Sequence, residues 1–255
     1  MSQLERQQQI LRLLEAHPSL TVREISGTLF YSESSVRRDV RELEARGLVT
    51  HRWGGVMLTS DSTGVVPVTL REEENSAVKE RLARDAAARV RDGDTLLLDS
   101  SSTVRRMLPY LAERRDLRLI TNNRRVFEMD LPKSFRLFCT GGAYHPENHN
   151  FYGPAAEDYL RSVRADLLFF SSQGLSADGE ISDASEEETA LRRVMLTRAQ
   201  KRIFLCDSSK LGVSRQFVLC SLDAVDEILC DAPERVEAIR ARVQALGKGI
   251  PRAGL

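Results

Sequence analysis

The chain lacks any surplus of positive charge. Its 37 lysine and arginine residues are matched by 37 aspartate and glutamate residues, so the net charge is zero. A protein that coats nucleic acid through bulk electrostatics shows a basic composition. That class is excluded, and any nucleic-acid contact must come from local placement of charge. Cysteine is sparse: Cys139, Cys206, Cys220 and Cys230 lie far apart, with no C-x-x-C pair. Three of them sit in the apolar runs RLFCT, IFLCD and EILCD, which reads as buried free thiols rather than a disulfide framework or a metal cluster. The four histidines, His17, His51, His145 and His149, offer only one H-x-x-x-H spacing, in a loop. No metal site and no cofactor are expected. Neither G-x-S-x-G nor a P-loop occurs. No run approaches the ~18 consecutive apolar residues that a membrane span requires. The opening segment MSQLERQQQILRLLEAH has helical spacing without the continuous apolar centre of a signal peptide, so a cytoplasmic location is expected.

What is present is the composition of a folded protein, 42% hydrophobic and 29% charged, over 255 residues. That length suits one large domain or two ordinary ones. Leu4, Ile10, Leu11, Leu13 and Leu14 give residues 4–15 an apolar helical face, ended by Pro18. Thr21 caps a second helix with Glu24 in the capping-box position, and Val22, Ile25 and Leu29 supply its buried stripe. Ser32 caps a third, which Gly47 stops. At 100° per residue, Val36, Val40 and Leu43 share one arc and face the core. Ser34, Arg38, Arg41 and Ala45 take the opposite side, with Ser35 and Arg37 on the flanks. Asp39 lies at the core edge and reads as an internal partner for an arginine. Two short strands, Leu48–Thr50 and Val56–Leu58, follow, joined through His51, Arg52, Trp53, Gly54 and Gly55.

Helix, tight turn, second helix and Gly-closed ribbon outline a winged helix-turn-helix, which places one helix in the DNA major groove. Arginine reads guanine edges bidentately, and serine serves bases or phosphates. Ser34, Ser35, Arg37, Arg38, Arg41 and, at the ribbon, Arg52 are therefore the candidate DNA-binding residues.

Residues 1–57 form this domain, residues 58–71 a polar linker without helical period, and residues 72–250 a second domain. There a helix over 74–91 precedes short apolar runs at 95–99, 117–121, 135–140, 166–170, 202–207 and 226–231. Helical segments at 103–114, 124–130, 155–163, 185–200 and 233–245 separate most of them. Apolar strands alternating with helices predict an α/β domain with a mainly parallel sheet. The tail from 247 onward reads as frayed.

Ligands of open α/β sheets bind at the carboxyl ends of the strands, and here those ends are polar. Asp99 is followed by Ser100, Ser101, Ser102 and Thr103 at the start of a helix, a pattern suited to a phosphate. Thr121–Asn122, Gly141–Gly142, Gln173–Gly174 and Asp207–Lys210 stand at the other ends. Lys210 supplies positive charge, and Lys79 is a second candidate.

The run SESSVRRDVRELE followed by GLVTHRWGG resembles the signature of DeoR/GlpR-type bacterial transcriptional repressors. Trp53 stands where that family usually has His, and Gly27 lies inside the second helix. In the larger domain, Asp99–Thr103 is similar to the family's D-S-G-T-T loop with Ser101 in place of Gly. Thr121–Asn122, Gly141–Gly142 and Asp207–Lys210 match T-N, G-G and D-x-S-K, and Glu188 matches a family Glu, here read as a helix-surface acid. The resemblance implies a sensor domain with the fold of ribose-5-phosphate isomerase and a phosphorylated sugar or related metabolite as effector. It implies operator DNA as partner, a homodimer or homotetramer, and repression relieved when effector favours a state unsuited to the operator. Aldose–ketose isomerisation needs an acid or base beside the reacting carbons. Gln173 occupies the place where the family commonly has an acid, so no enzyme is expected.

Overall fold

Helix α1 (Gln3–Ala16) begins the chain, and α2 (Val22–Leu29) and α3 (Glu33–Ala45) follow. The computed structural model describes residues 3–17, 19–45, 48–52, 54–58, 75–146 and 148–245. Pro18, Gly47, Trp53, residues 59–71 of the linker and the tail beyond 245, all singled out from sequence, lie outside the described residues. So do the side chains of Leu4 and Arg52. The chain divides into two units, Met1–Glu74 and Asn75–Leu255.

In the first unit, Thr21 and Glu24 form the reciprocal capping box: Glu24 N donates to Thr21 Oγ1 at 3.2 Å and Thr21 N donates to Glu24 Oε2 at 2.7 Å. Ser32 Oγ accepts from Ser35 N at 3.2 Å and caps α3. Strands β1 (Val49–Arg52) and β2 (Gly55–Leu58) pair antiparallel, from Val49 opposite Leu58 to Arg52 opposite Gly55. Ile10, Leu11, Leu14, Ile25, Val36, Val40, Leu43, Leu48, Val49 and Val56 make the core. The α3 arc is the one its periodicity predicts. On α2 only Ile25 is fully buried, with Val22 and Leu29 partly covered. Gly27 is exposed, and a Cβ there would meet nothing within 4 Å. Its helix-weakening backbone freedom has no packing reason.

The second unit opens with α4 (Ser76–Ala87). Six strands form its main sheet: β3 (Thr95–Leu98), β4 (Arg118–Thr121), β5 (Arg136–Cys139), β8 (Ala165–Phe170), β11 (Ala199–Cys206) and β13 (Glu227–Cys230). Their order is β13-β11-β8-β3-β4-β5, and every neighbouring pair is parallel. Side chains alternate between two cores, as the pleat requires. Leu96, Leu98, Leu119, Phe169, Ile203 and Leu205 pack with Leu82, Ala83 and Ala86 of α4. Leu97, Ile120, Leu168, Phe170, Phe204 and Cys206 face the other way. There they meet α6 (Pro154–Arg161), α7 (Glu186–Arg198) and α8 (Pro233–Ala245) through Leu160, Leu191, Met195 and Val236.

Three expectations are corrected. The helix read over 103–114 is a single turn, α5 (Ser102–Arg105), followed by a 3₁₀ turn at Leu108–Leu111. Pro109 explains the break, because its ring would meet the carbonyl of the residue four earlier and it has no N–H to donate. The helix read over 124–130 is a 3₁₀ turn, Arg124–Glu128. The cysteines are unpaired, but only Cys206 is fully buried. Two small antiparallel groups had no clear sequence signal, being short and irregular. These are the hairpin β6 (Ala143–His145) with β7 (Asn150–Tyr152), and the sheet β12-β10-β9 of Phe217–Ser221, Glu180–Asp183 and Gly174–Leu175.

Candidate DNA-reading face and effector site

On α3, Ser34, Arg37, Arg38 and Arg41 are exposed and Ser35 is half-buried. The hydroxyls of Ser34 and Ser35 lie 3.0 and 2.9 Å from the Ser32 hydroxyl, so they belong to the cap. What decides the character of this face is where the helix's own acids go. Asp39 is fully buried and accepts from Arg6 of α1, Nη2 to Oδ1 at 3.1 Å and Nε to Oδ2. This bond with Asp39, more than burial opposes it, raises the pKa of Arg6. Glu42 accepts from the amides of Gln3 and Gln7 at 2.9 and 2.7 Å. Glu44 Oε1 takes the His51 ring at 3.1 Å, and Glu33 pairs with Arg37 at 3.1 Å. All four acids of α3 are thus engaged. Among the described residues, Arg38 and Arg41 have no acidic partner, whereas Arg37 is partly compensated. Arg52 ends β1, and its side chain lies outside the described residues.

Apart from Lys79, which lies in α4, the candidate effector residues gather at one edge of the parallel sheet, since they stand at or just beyond the C-terminal ends of its strands. Asp99 follows β3. Its Oδ1 accepts from Ser101 N at 2.9 Å, and its Oδ2 from Ser171 N at 3.1 Å and Arg192 Nε at 2.9 Å. Arg192 is 4% exposed and is held by three carboxylates. Its other nitrogens reach Asp183 at 2.8 Å and Glu188 at 2.9 Å. Burial would lower its pKa, but Asp183, Glu188 and Asp99 outweigh burial and raise it. Asn150 Nδ2 bridges Ser100 Oγ at 3.1 Å and Glu188 Oε1 at 2.7 Å.

Glu188 is therefore buried inside this network and is not a helix-surface acid. The sequence EEETALRR looks like an exposed charged helix, and only the fold turns Glu188 and Arg192 inward. Arg192, Asp183 and Asn150 were not anticipated. The i,i+4 spacing of Glu188 and Arg192 was the one available signal.

Within the Ser100–Thr103 loop, Ser101 is engaged by the protein itself. Ser101 Oγ caps α5 by accepting from Val104 N at 3.2 Å, and Ser101 N already serves Asp99. A one-turn helix has little macrodipole to attract an anion. Ser100, Ser102 and Thr103 are buried.

Positive charge lies beyond the end of β11, two strands along the sheet from β3. Lys210 Nζ donates to Ser171 Oγ at 2.8 Å and lies 3.4 Å from Asp207 Oδ2. Asp207 also accepts from Asn75 Nδ2 at 3.0 Å and from Ser209 Oγ. Burial pushes its pKa up, but Lys210, Ser209, Lys79 and Asn75 together hold it below the usual carboxylate range. Lys79 lies in α4, buried, with its charge felt at Asp207.

The remaining candidates divide by role. Thr121 Oγ1 accepts from Asn123 N at 3.0 Å, which shapes the turn after β4. Asn122 Nδ2 donates to Phe151 O at 3.0 Å, while its buried Oδ1 has no partner among the described residues. Gln173 Nε2 is likewise buried without a partner. Orphaned buried polar atoms are uncommon in folded proteins and call for a ligand, ion or water. Gly141 has φ 66° with open space where a Cβ would stand. Gly142 and Gly174 are packing glycines, since a Cβ would lie 2.4 Å from Tyr152 O and 2.4 Å from Val213 O respectively. Among the described residues no group of His, Cys, Asp and Glu could hold a metal ion, and no helix is long and apolar enough to cross a membrane.

Two family models match the chain: a DeoR-like helix-turn-helix domain over residues 6–62 and a DeoR C terminal sensor domain over residues 74–232. The chain is 30% identical to the HTH-type transcriptional regulator YulB of Bacillus subtilis over 240 residues, 92% of each chain. It is 27% identical to the glycerol-3-phosphate regulon repressor of Escherichia coli strain K12 over 241 residues, 94% of this chain and 95% of that one. Ribose 5-phosphate isomerase A from Methanocaldococcus jannaschii aligns with 54% of this chain and 55% of its own length, at 16% identity and a TM-score of 0.40.

Proposed function

The chain belongs to the DeoR family of helix-turn-helix transcriptional regulators, and from that premise we propose that it is a repressor of sugar or related carbon-metabolism genes, released from its operator by a phosphorylated sugar-type effector. The observation that carries this reading is the combination within one chain of two uncompensated arginines on α3 and a lysine-bearing polar edge on a separate parallel sheet. Arg38 and Arg41 read bases or neutralise phosphates, with Ser34, Ser35, Arg37 and Arg52 beside them. One helix on one half-site gives modest affinity, so a homodimer or homotetramer engages the operator.

The effector's phosphate lies against Lys210 and Lys79. Its hydroxyls meet Asn122 Oδ1 and Gln173 Nε2, two buried atoms at these strand ends that have no partner among the described residues. The similarity to a glycerol-3-phosphate regulon repressor over nearly the whole chain supports a phosphorylated polyol or sugar as effector class. Gln173 carries an amide, which cannot exchange a proton as an isomerase base must, so the site holds its ligand without converting it. Effector binds preferentially to an arrangement of the protein that does not fit the operator, and DNA affinity falls by that differential affinity.

A thermal-shift screen against a panel of sugar phosphates tests the sensor half, because a ligand of the folded state raises the unfolding midpoint. Any stabilising compound is then added to a promoter-DNA complex. Stabilisation together with release of DNA is the expected result. A compound that binds tightly yet leaves the complex intact removes the proposed coupling.

A further inference from the structure

The turn between α2 and α3 presents an aromatic ring that the fold itself does not use. Phe30 caps α2 with left-handed backbone angles, φ 57° and ψ 38°. Glycine takes that region freely, whereas an L-residue with a Cβ takes it at a cost. The Phe30 side chain is 93% exposed. Its neighbours Leu29 and Tyr31 both pack against the core of the unit, and Phe30 does not.

The turn is held from within. Phe30 N donates to Ser26 O, Tyr31 N donates to Ser26 O at 3.2 Å, and Ser26 Oγ donates to Tyr31 O at 2.5 Å. Tyr31 Oη donates to Gln9 Oε1 of α1 at 2.5 Å. With Tyr31 anchored inward, Phe30 is fixed pointing outward, two residues before the Ser32 cap of the reading helix. In helix-turn-helix docking the N-terminal residues of that helix contact base edges in the major groove. The apolar feature exposed there is the thymine methyl group, which phenylalanine can cover.

We propose that Phe30 is a DNA-contacting, specificity-determining residue whose ring packs on the methyl group of a thymine beside the bases met by α3. The inference rests on the operator-binding reading above. It explains why an aromatic side chain occupies a position whose backbone suits glycine and whose exposure gives it nothing inside the protein.

The test begins with selection of a binding sequence from random duplex DNA by the full-length protein. Phe30→Ala and Phe30→Gly should bind the selected duplex about fivefold more weakly, the scale of one lost methyl contact. The slope of log affinity against log salt should stay unchanged, because no phosphate is released from neutralisation. The unfolding midpoint should hold for Phe30→Ala and hold or rise for Phe30→Gly, which separates a lost contact from a lost fold. Replacing thymines one at a time by deoxyuridine should reveal one position that weakens the wild type by the same factor and leaves Phe30→Ala unaffected.

Wild-type affinity in Phe30→Ala overturns the proposal. So does a loss with no deoxyuridine position that is silent in the variant. Arg38→Ala serves as the control. If it loses binding while the Phe30 variants do not, the operator reading stands and this inference alone fails. If the wild type selects no sequence at all, the operator reading falls and takes the inference with it.

Discussion

Arg6 of the first helix and Asp39 of the reading helix form an ion pair that withdraws Asp39 from the arginines on either side of it in sequence. The carboxylate is fully buried, and the arginine largely so. The pair fastens α1 to α3 and leaves the outer face of α3 with uncompensated positive charge, although the chain as a whole has none.

Removing one partner should be costly. Arg6→Ala leaves a buried carboxylate without its counter-charge and should lower the stability of the N-terminal unit by about 3 kcal/mol. The double variant Arg6→Met, Asp39→Leu should recover much of that loss, because apolar replacements carry no desolvation penalty. Urea unfolding followed by circular dichroism reads both. An Arg6→Ala protein as stable as wild type would show the pair to be incidental.

The arginines of α3 should separate into two classes. Arg38→Ala and Arg41→Ala should each weaken operator binding about tenfold, and where the lost contact is to phosphate the salt slope should fall by about 1. Arg37→Ala should cost less, since Glu33 already offsets that charge at 3.1 Å. Fluorescence anisotropy across a salt series decides, and equal losses at all three positions would contradict the assignment.

Lys210 and Asp207 predict a pH dependence. Asp207 has a lowered pKa in the folded protein. A carboxylate with a lowered folded pKa adds stability that is fully present above its unfolded value, about 3.9, and lost as pH falls through the folded one. Lys210→Met removes one of the charges that hold the folded value down. The variant should therefore be less stable than wild type above about pH 4, and the gap between the two should narrow as pH falls below that value and Asp207 is protonated. Parallel curves would mean that Lys210 does not act on Asp207.

Arg192 should be the least replaceable side chain of the sensor unit. Arg192→Met leaves Asp99, Asp183 and Glu188 buried together without a counter-charge and should destabilise that unit by about 3–5 kcal/mol. Arg192→Lys should recover only part, because an ammonium lacks the planar fork that reaches three carboxylates. Calorimetry of the full chain measures this, and a neutral Arg192→Met would show that the carboxylates find other partners.

Gly27 offers a stabilising change. It lies exposed within α2 with free space around its Cα, so Gly27→Ala should raise stability by about 1 kcal/mol. A lower unfolding midpoint would reveal a constraint that the helix geometry does not show.

Much of this was written in the sequence by itself. Helical period placed Val36, Val40 and Leu43 inside and Arg38 and Arg41 outside, and Ser32 and the Thr21–Glu24 pair marked the helix starts. The apolar runs located all six strands of the parallel sheet; the central ones are buried on both faces and leave a continuous hydrophobic signature, and the half-covered edge strands keep short apolar runs. Local chemistry sufficed wherever a single element sets the answer.

Tertiary structure decided what depends on partners distant in sequence. Which arginine meets Asp39 was settled by α1, which brings Arg6 alongside. The burial of Glu188 and Arg192 came from α7 turning its charged side onto the sheet edge, where Asp99 and Asp183 wait from other strands. Pro109 was visible in the sequence, yet only the folded chain showed that α5 is reduced to one turn, Ser102–Arg105. Periodicity records which side of an element is apolar. Charge pairing between elements leaves no period, so the electrostatics of both sites emerged only when the chain was folded.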